Sequence, residues 1–353
     1  MPTRPIERAP YGRQGETVPA LSDPRPLHAI YQGENYYGHP AIKPSHYGQL
    51  VAAYLFVGGL AGASQLMATI AERCGRSNGR FTTRAGRYAA LAGGLASPVF
   101  LIADLKTPRR WYNMLRIFRP TSTMSIGSWT LATFGAITAL TAGAQALSDL
   151  TGAPFFRHAA RWLGVPAATS GALVATYTGT LLGATSTPLW ASANRFLPAL
   201  FGVSAAATST AALSLAAHLK RAPAGTMAPL ERLSLVAGGA ELLLTSALER
   251  RLEREAIATP LQQEPLASAY GIGYKALGIV APLMIHGAGV LLRWRSRPWS
   301  MAAAVATLAG GYIFRSALLA AGKRSAERPE DYFVFTQRGS SGPVQRNRSS
   351  RSI

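Results

Sequence analysis

A single cysteine, Cys74, stands in 353 residues. A disulfide framework, a cysteine-ligated zinc site and an iron–sulfur cluster held by this chain alone are thereby excluded. Acidic residues are scarce as well: 16 Asp and Glu face 36 Lys and Arg, leaving a formal charge of +20 and a pI near 10.9. Charge of that sign would ordinarily suggest a nucleic-acid partner. The cations, however, gather at both ends of the chain and in short clusters, and long stretches between them are almost uncharged. The mean hydropathy of +0.12 therefore averages two different materials. A disordered basic tail does not describe the whole, because 48% hydrophobic residues can bury a large surface.

The fingerprints of nucleotide chemistry are missing too. No Walker A phosphate loop occurs, and no glycine-rich dinucleotide motif follows a strand, so an ATP-driven pump or a nicotinamide enzyme has no support. A b-type haem held between two helices needs an axial histidine from each. Of the six histidines (His28, His39, His46, His158, His218 and His286) only His286 lies well within an apolar run, with His218 at the end of another.

What is present is a series of eight apolar runs of about 18 residues or more, the length that crosses roughly 30 Å of hydrocarbon as a helix. They extend from about Leu50 to Ala71, Tyr88 to Leu105, Ser125 to Leu147, Thr169 to Leu189, Leu197 to Leu219, Leu230 to Leu248, Gly273 to Leu292 and Ser300 to Ala321. One such run could be the core helix of a soluble protein. Eight in series predict an all-α integral membrane protein with eight transmembrane helices over residues 46–322. The runs are rich in small residues, and Gly58-x-x-x-Gly62 has the form that lets helix backbones approach in lipid. Residues 1–45 read as a polar, proline-rich extension, with no apolar stretch before Leu50 to serve as a secretory signal. Residues 323–353 read as a basic solvated tail. Its Tyr332-Phe-Val-Phe335 run either meets a partner or lies at the membrane interface.

Loop cations set the orientation weakly. Arg73, Arg76, Arg80, Arg84 and Arg87 after the first run are matched by Lys106, Arg109, Arg110, Arg116 and Arg119 after the second. A modest excess over the remaining loops places the odd-numbered loops in the cytoplasm and both termini outside.

Ionisable residues inside such runs are costly and therefore candidate functional groups. Glu241, His286 and Arg315 lie deepest, and Asp104 sits where the second run ends. Each has a plainer reading. Glu241 and Arg315 could form an ion pair, His286 could pack through a hydrogen bond, and Asp104 could cap a helix beside Lys106, Arg109 and Arg110.

Two runs of polar residues are less generic. Asp104-Leu-Lys-Thr-Pro-Arg-Arg110 closes the second span, and Pro120-Thr-Ser-Thr-Met-Ser-Ile-Gly-Ser-Trp129 opens the third. Together they resemble the membrane-subunit family named for NrfD and polysulfide reductase, with Lys106-Thr107 in place of the usual glycine region and Thr123 in place of a proline. Three further stretches agree in order and spacing: Tyr54-Leu-Phe-Val-Gly-Gly-Leu-Ala-Gly-Ala63, Tyr177-Thr-Gly-Thr-Leu-Leu-Gly-Ala-Thr-Ser-Thr-Pro-Leu-Trp190 and Gly310-Gly-Tyr-Ile-Phe-Arg315. The resemblance covers about residues 46–335.

It implies two four-helix bundles in a bacterial inner membrane. The subunit would lack prosthetic groups, with no metal and no covalent cofactor, and would exchange electrons with quinone or quinol as a substrate. It would anchor an iron–sulfur protein and, through it, a catalytic subunit, often a molybdopterin enzyme. The chain itself would be non-catalytic apart from the quinone half-reaction. By position, the resemblance puts His46 at the quinone site near the start of the first span, followed by Tyr47 where tryptophan is common, and Tyr177 supplies a hydroxyl from the fourth. A quinone head needs hydrogen-bond donors at its carbonyls and a proton route, which a histidine, a tyrosine and a nearby Asp104 provide. Lys106, Arg109, Arg110, Arg116 and Arg119 would then meet an acidic partner surface.

The competing reading is a transporter or proton-conducting module, in which Glu241, His286 and Arg315 line a route across the membrane. Broken helices would be its mark. Pro98 and Pro282 lie well inside the expected spans, with Pro188 and Pro198 at span ends, and neither Pro98 nor Pro282 sits in a paired Gly/Pro break.

Overall fold

From Gln49 to Cys74 the sequence runs 26 residues with charges only at Glu72 and Arg73, and it folds as one helix, α1. At 1.5 Å per residue it is about 39 Å long, more than a bilayer core requires. This chain's computed structural model describes residues 42–74, 79–292 and 296–336. Most of the expected N-terminal extension, the tail beyond residue 336, and Arg76, Arg293 and Arg295 lie outside the described residues.

The described residues form helices and turns, without strands. After α1 come α2 (Arg80–Ala103), a 3₁₀ segment (Pro108–Leu115), α3 (Thr123–Thr151), α4 (Pro154–Gly183) and the short α5 (Pro188–Ser192). Then follow α6 (Leu197–Leu219), α7 (Ala224–Arg254), the short α8 (Thr259–Gln262) and α9 (Leu266–Ser268). A wide π-helical stretch (Ala269–Val280) leads into α10 (Ala281–Leu291), α11 (Arg297–Glu327) and α12 (Pro329–Thr336). Local signals explain several boundaries. Ser122 caps α3, its side chain accepting the Ser125 N–H, and Gly152 ends the same helix at φ +68°, where a glycine is unstrained. Pro154 then opens α4 at a position that needs no N–H donor.

Among the described residues six helices are long and apolar enough to cross a membrane: α1, α2, α3, α6, Leu266–Leu291 and α11. The other two expected spans fall in α4 and α7, which are long enough, at 30 and 31 residues, but more polar. Arg157, His158 and Arg161 open α4, and its helix stops at Gly183, short of the expected Leu189. In α7 the run Leu230 to Leu248 contains Glu231, Arg232 and Glu241. At the other end of the chain α11 continues past the expected limit to Glu327, and α12 follows, so the first part of the expected tail is helical.

α1 lies at the centre, packed along α2, α4 and α6 and touching α11; α3 closes against α4 and α2, while α7, α10 and the π stretch gather around α6 and α11. Both glycines of the Gly58-x-x-x-Gly62 pattern are spent on these contacts. A side chain on Gly58 would crowd the Ser97 hydroxyl of α2, and one on Gly62 would overlap the Gly171 carbonyl of α4. Without those Cβ atoms the backbones meet, and dispersion does the work that the hydrophobic effect cannot do inside lipid.

The long helices alternate in direction, so their ends collect in two places. One holds Tyr47, Asp104, Trp190 and the end of α11, and is called the Tyr47 end. The other holds Glu72, Arg87, Gly152 and His218, and is called the Arg87 end.

Candidate functional site

At the Tyr47 end the segment before α1 is tied down. Ile42 N–H donates to the Ala326 carbonyl at 3.2 Å, and the Gln49 side-chain oxygen accepts from Tyr312 at 3.1 Å and Ser316 at 3.0 Å, both on α11. Tyr47, half-buried, stacks on Trp190 with ring centroids 6.0 Å apart at 26°. Trp190 is wholly buried, and its indole N–H donates to the Leu318 carbonyl at 2.9 Å. Tyr54 follows in the second turn of α1, buried, with Tyr47 and Tyr177 as its electrostatic neighbours. Tyr177 projects from α4 to the first turn of α3, where its hydroxyl donates to the Thr123 carbonyl. Its ring lies so close to Gly127 that any side chain there would collide, which accounts for glycine in the Ser-Ile-Gly-Ser-Trp run.

His46 is exposed beside this cluster. Asp104 caps α2 and is half-buried, and a side chain on Gly48 would lie 3.5 Å from its carboxylate. Burial pushes the Asp104 carboxyl up from the usual carboxylate range, and Lys323 and His46 oppose that shift. The charges that face Asp104 are therefore on α11 and before α1. The expected neighbours Lys106, Arg109 and Arg110 are exposed instead, because the chain turns away into the 3₁₀ segment. Burial also raises the Tyr47 phenol. The sequence thus pointed to three groups that the fold places at one end: the His46 charge acts on Asp104, and Tyr177 neighbours Tyr47 and Tyr54. Residue reasoning passed over Tyr54, Trp190 and Lys323. Tyr54 had a signal, as a hydroxyl inside an otherwise apolar run; the approach of Lys323 to Asp104, from the far end of α11, had none.

The deep ionisable residues form a second group. Arg315 is wholly buried on α11. Its Nε donates to the Leu55 carbonyl at 3.2 Å, and its Nη1 donates to the Gly311 carbonyl at 2.8 Å and to Ser204 Oγ at 3.2 Å. Its Cζ lies 5.7, 5.3 and 5.8 Å from the ring centres of Phe56, Phe201 and Phe314, within cation–π range. Gly59 leaves room for the guanidinium, since a Cβ there would sit 3.4 Å from Nη2. The Leu55-to-Gly59 part of the first motif and the Gly310-to-Arg315 motif therefore interlock across 260 residues of sequence. Glu241, also buried, accepts from Tyr274 at 3.1 Å, whose hydroxyl also meets Thr245 at 2.9 Å. Ser204 stands between Glu241 and Arg315, bonded to both. The direct ion pair considered from sequence is thus replaced by one hydroxyl bridging two compensating charges.

His286 lies elsewhere. It lines a cavity of about 210 Å³ at the Arg87 end with His218, Glu231, Arg297 and Trp299. A void of about 10 Å³ lined by Ser234, Glu241 and Thr307 lies deeper, near the lower limit for one water. Among the described residues no group of three or more His, Cys, Asp or Glu side chains is placed to hold a metal.

A chain whose described residues are helical, with six apolar helices among them long enough to span a bilayer and with buried charges compensated inside, is an integral membrane protein. It belongs to the NrfD family, described as polysulphide reductase, NrfD, which it matches over residues 41–325. No curated protein matches it.

Proposed function

We propose that this chain is the quinone-reactive membrane anchor of a respiratory oxidoreductase, in the bacterial inner membrane with its Tyr47 end outside, and that its two remaining long helices, α4 and α7, also span. The aromatic and hydroxyl cluster of Tyr47, Tyr54, Tyr177 and Trp190, with His46 and Asp104 at its rim, supports the reading most. A quinol head bound there would lose two electrons and two protons. His46 accepts the two protons in turn at the rim and passes each to Asp104 and water, while the electrons leave to an iron–sulfur partner and through it to a catalytic subunit. The partner docks over the same end, where Lys106, Arg109, Arg110, Arg116 and Arg119 are exposed with Trp111, Tyr112 and Phe118. His46→Ala is expected to slow quinol oxidation by the assembled complex by about 10²-fold, in the range of a lost general base. Unchanged turnover with normal assembly removes His46 from the site.

A second reading, proton conduction through Glu241, is favoured by one specific observation. The π-helical stretch ends next to Pro282 and turns Tyr274 onto Glu241, so that this helix is irregular where it meets a buried acid. His286 would stand at the Arg87-end mouth, and Arg315 would keep Glu241 poised across Ser204. In liposomes holding the complex, Glu241→Gln should abolish internal pH change during quinol turnover and leave the electron flux. Loss of both together, or of neither, rejects the route.

A further inference from the structure

We propose that the Arg87 end carries a binding site for the phosphate headgroup of an anionic phospholipid. A cavity of about 570 Å³ opens there between α1, α2, α3 and α4, within the roughly 300–1,000 Å³ of small-ligand sites. Four arginines line it: Arg80, Arg84, Arg157 and Arg161. The acids on its wall are already committed. Glu72 pairs with Arg87 at 2.6 Å. Asp149 pairs with Arg84 at 2.9 Å and accepts from Tyr88 at 2.8 Å and Gln145 at 2.9 Å. Arg80, Arg157 and Arg161 are left without an acidic partner within 4 Å among the described residues. Three exposed guanidinium groups converging on one cavity repel one another unless an anion sits among them, and their planar forks suit phosphate oxygens. The first turns of α2 and α4 end at the same cavity and add positive potential.

The apolar surroundings select a lipid over a soluble anion. Phe155 and Trp162 in the first turns of α4 and Leu150 in the last turn of α3 stand at this same end of the molecule, outside the cavity lining, and are 72%, 71% and 83% exposed. A free phosphate has no use for such an apron, whereas a phospholipid covers it with its acyl chains while the headgroup enters the cavity. The site lies at the opposite end from the quinone cluster and does not depend on it.

The full chain, purified in mild detergent, would be offered equal phosphatidylglycerol and phosphatidylcholine and examined by native mass spectrometry. Preferential retention of phosphatidylglycerol is expected. Each arginine removed should lower the preference about fivefold, and Arg157→Gln with Arg161→Gln by more than tenfold. Arg80→Gln alone provides the same readout should the double variant not fold, and Lys220→Gln, at the same end but outside the cavity, should leave the preference unchanged. Equal retention of the two lipids, an unchanged preference in the arginine variants, or displacement of phosphatidylglycerol by inorganic phosphate overturns the proposal.

Discussion

Two arginines are buried among the described residues of this membrane protein, and they are satisfied in opposite ways. Arg87, 1% exposed, donates to the Glu72 carboxylate on α1, the Gln145 side chain on α3 and the Ala160 carbonyl on α4. One side chain on α2 thus ties together the four helices of the first half of the chain, through a direct ion pair. Arg315, 0% exposed, has no carboxylate against it; it is held by two carbonyls, a hydroxyl and three rings, with Glu241 one hydroxyl further off. The first arrangement fixes charge in place. The second leaves a buried acid near a cation without locking the two together, the arrangement expected where a proton must come and go.

Removing one partner tests the contrast most severely. Arg87→Ala leaves Glu72, Gln145 and the Ala160 carbonyl facing a cavity, and a buried pair broken from one side costs about 3–5 kcal/mol. A marked fall in the thermal midpoint of the detergent-solubilised chain is expected. Arg87→Met combined with Glu72→Gln should recover most of that loss, because the uncompensated charge goes with the cation. A double variant as unstable as the single would mean that the ion pair is not what holds these helices.

Lysine substitution separates the two sites at a smaller scale. A compact ammonium still pairs with Glu72 but gives up the fork arm to Gln145, so Arg87→Lys should cost about 1 kcal/mol, the scale of one lost hydrogen bond. At position 315 the same change loses the planar fork that reaches the Leu55 and Gly311 carbonyls and Ser204 together. It also loses stacking on Phe56, Phe201 and Phe314. The cost should be about 2 kcal/mol, a typical loss for hydrogen bonds to a charged group. Equal shifts in the two midpoints would erase the distinction between a clamp and a cradle.

The two arginines also mark how far the sequence could be read. Apolar length revealed the class of fold, and the order of five motifs revealed the family, because both are written locally. Arg315 stood out as a charge in the middle of an apolar run. Arg87 did not, and was counted among the loop cations, since the second helix was expected to begin at Tyr88. It begins at Arg80, and the groups that make an interior arginine tolerable there come from three other helices. The same limit explains the Glu241 geometry. A serine bridge between α7 and α11 depends on Ser204 of a third helix, and nothing in the spacing of Glu241 and Arg315 encodes it. At the Tyr47 end His46, Asp104 and Tyr177 were legible through their motifs, while the aromatic floor of Trp190 and the approach of Lys323 depend on packing at the end of α11.

Lys323 offers the smallest test, on a charge set that is neither clamped nor deeply buried. Asp104 is half-buried, its carboxyl raised by burial and held down first by Lys323 and then by His46. Lys323→Gln removes the larger opposing charge, so the carboxylate loses support and the carboxyl rises further. Asp104 accepts protons only when ionised. The acid limb of quinol oxidation should therefore move to higher pH, by up to about one unit at a site this open to solvent. Lys323→Arg keeps the charge and should leave the limb in place, and Asp104→Asn should remove it. A limb that stays put in Lys323→Gln, or moves to lower pH, takes Asp104 out of the proton path. His46 alone would then be left to carry protons at this end.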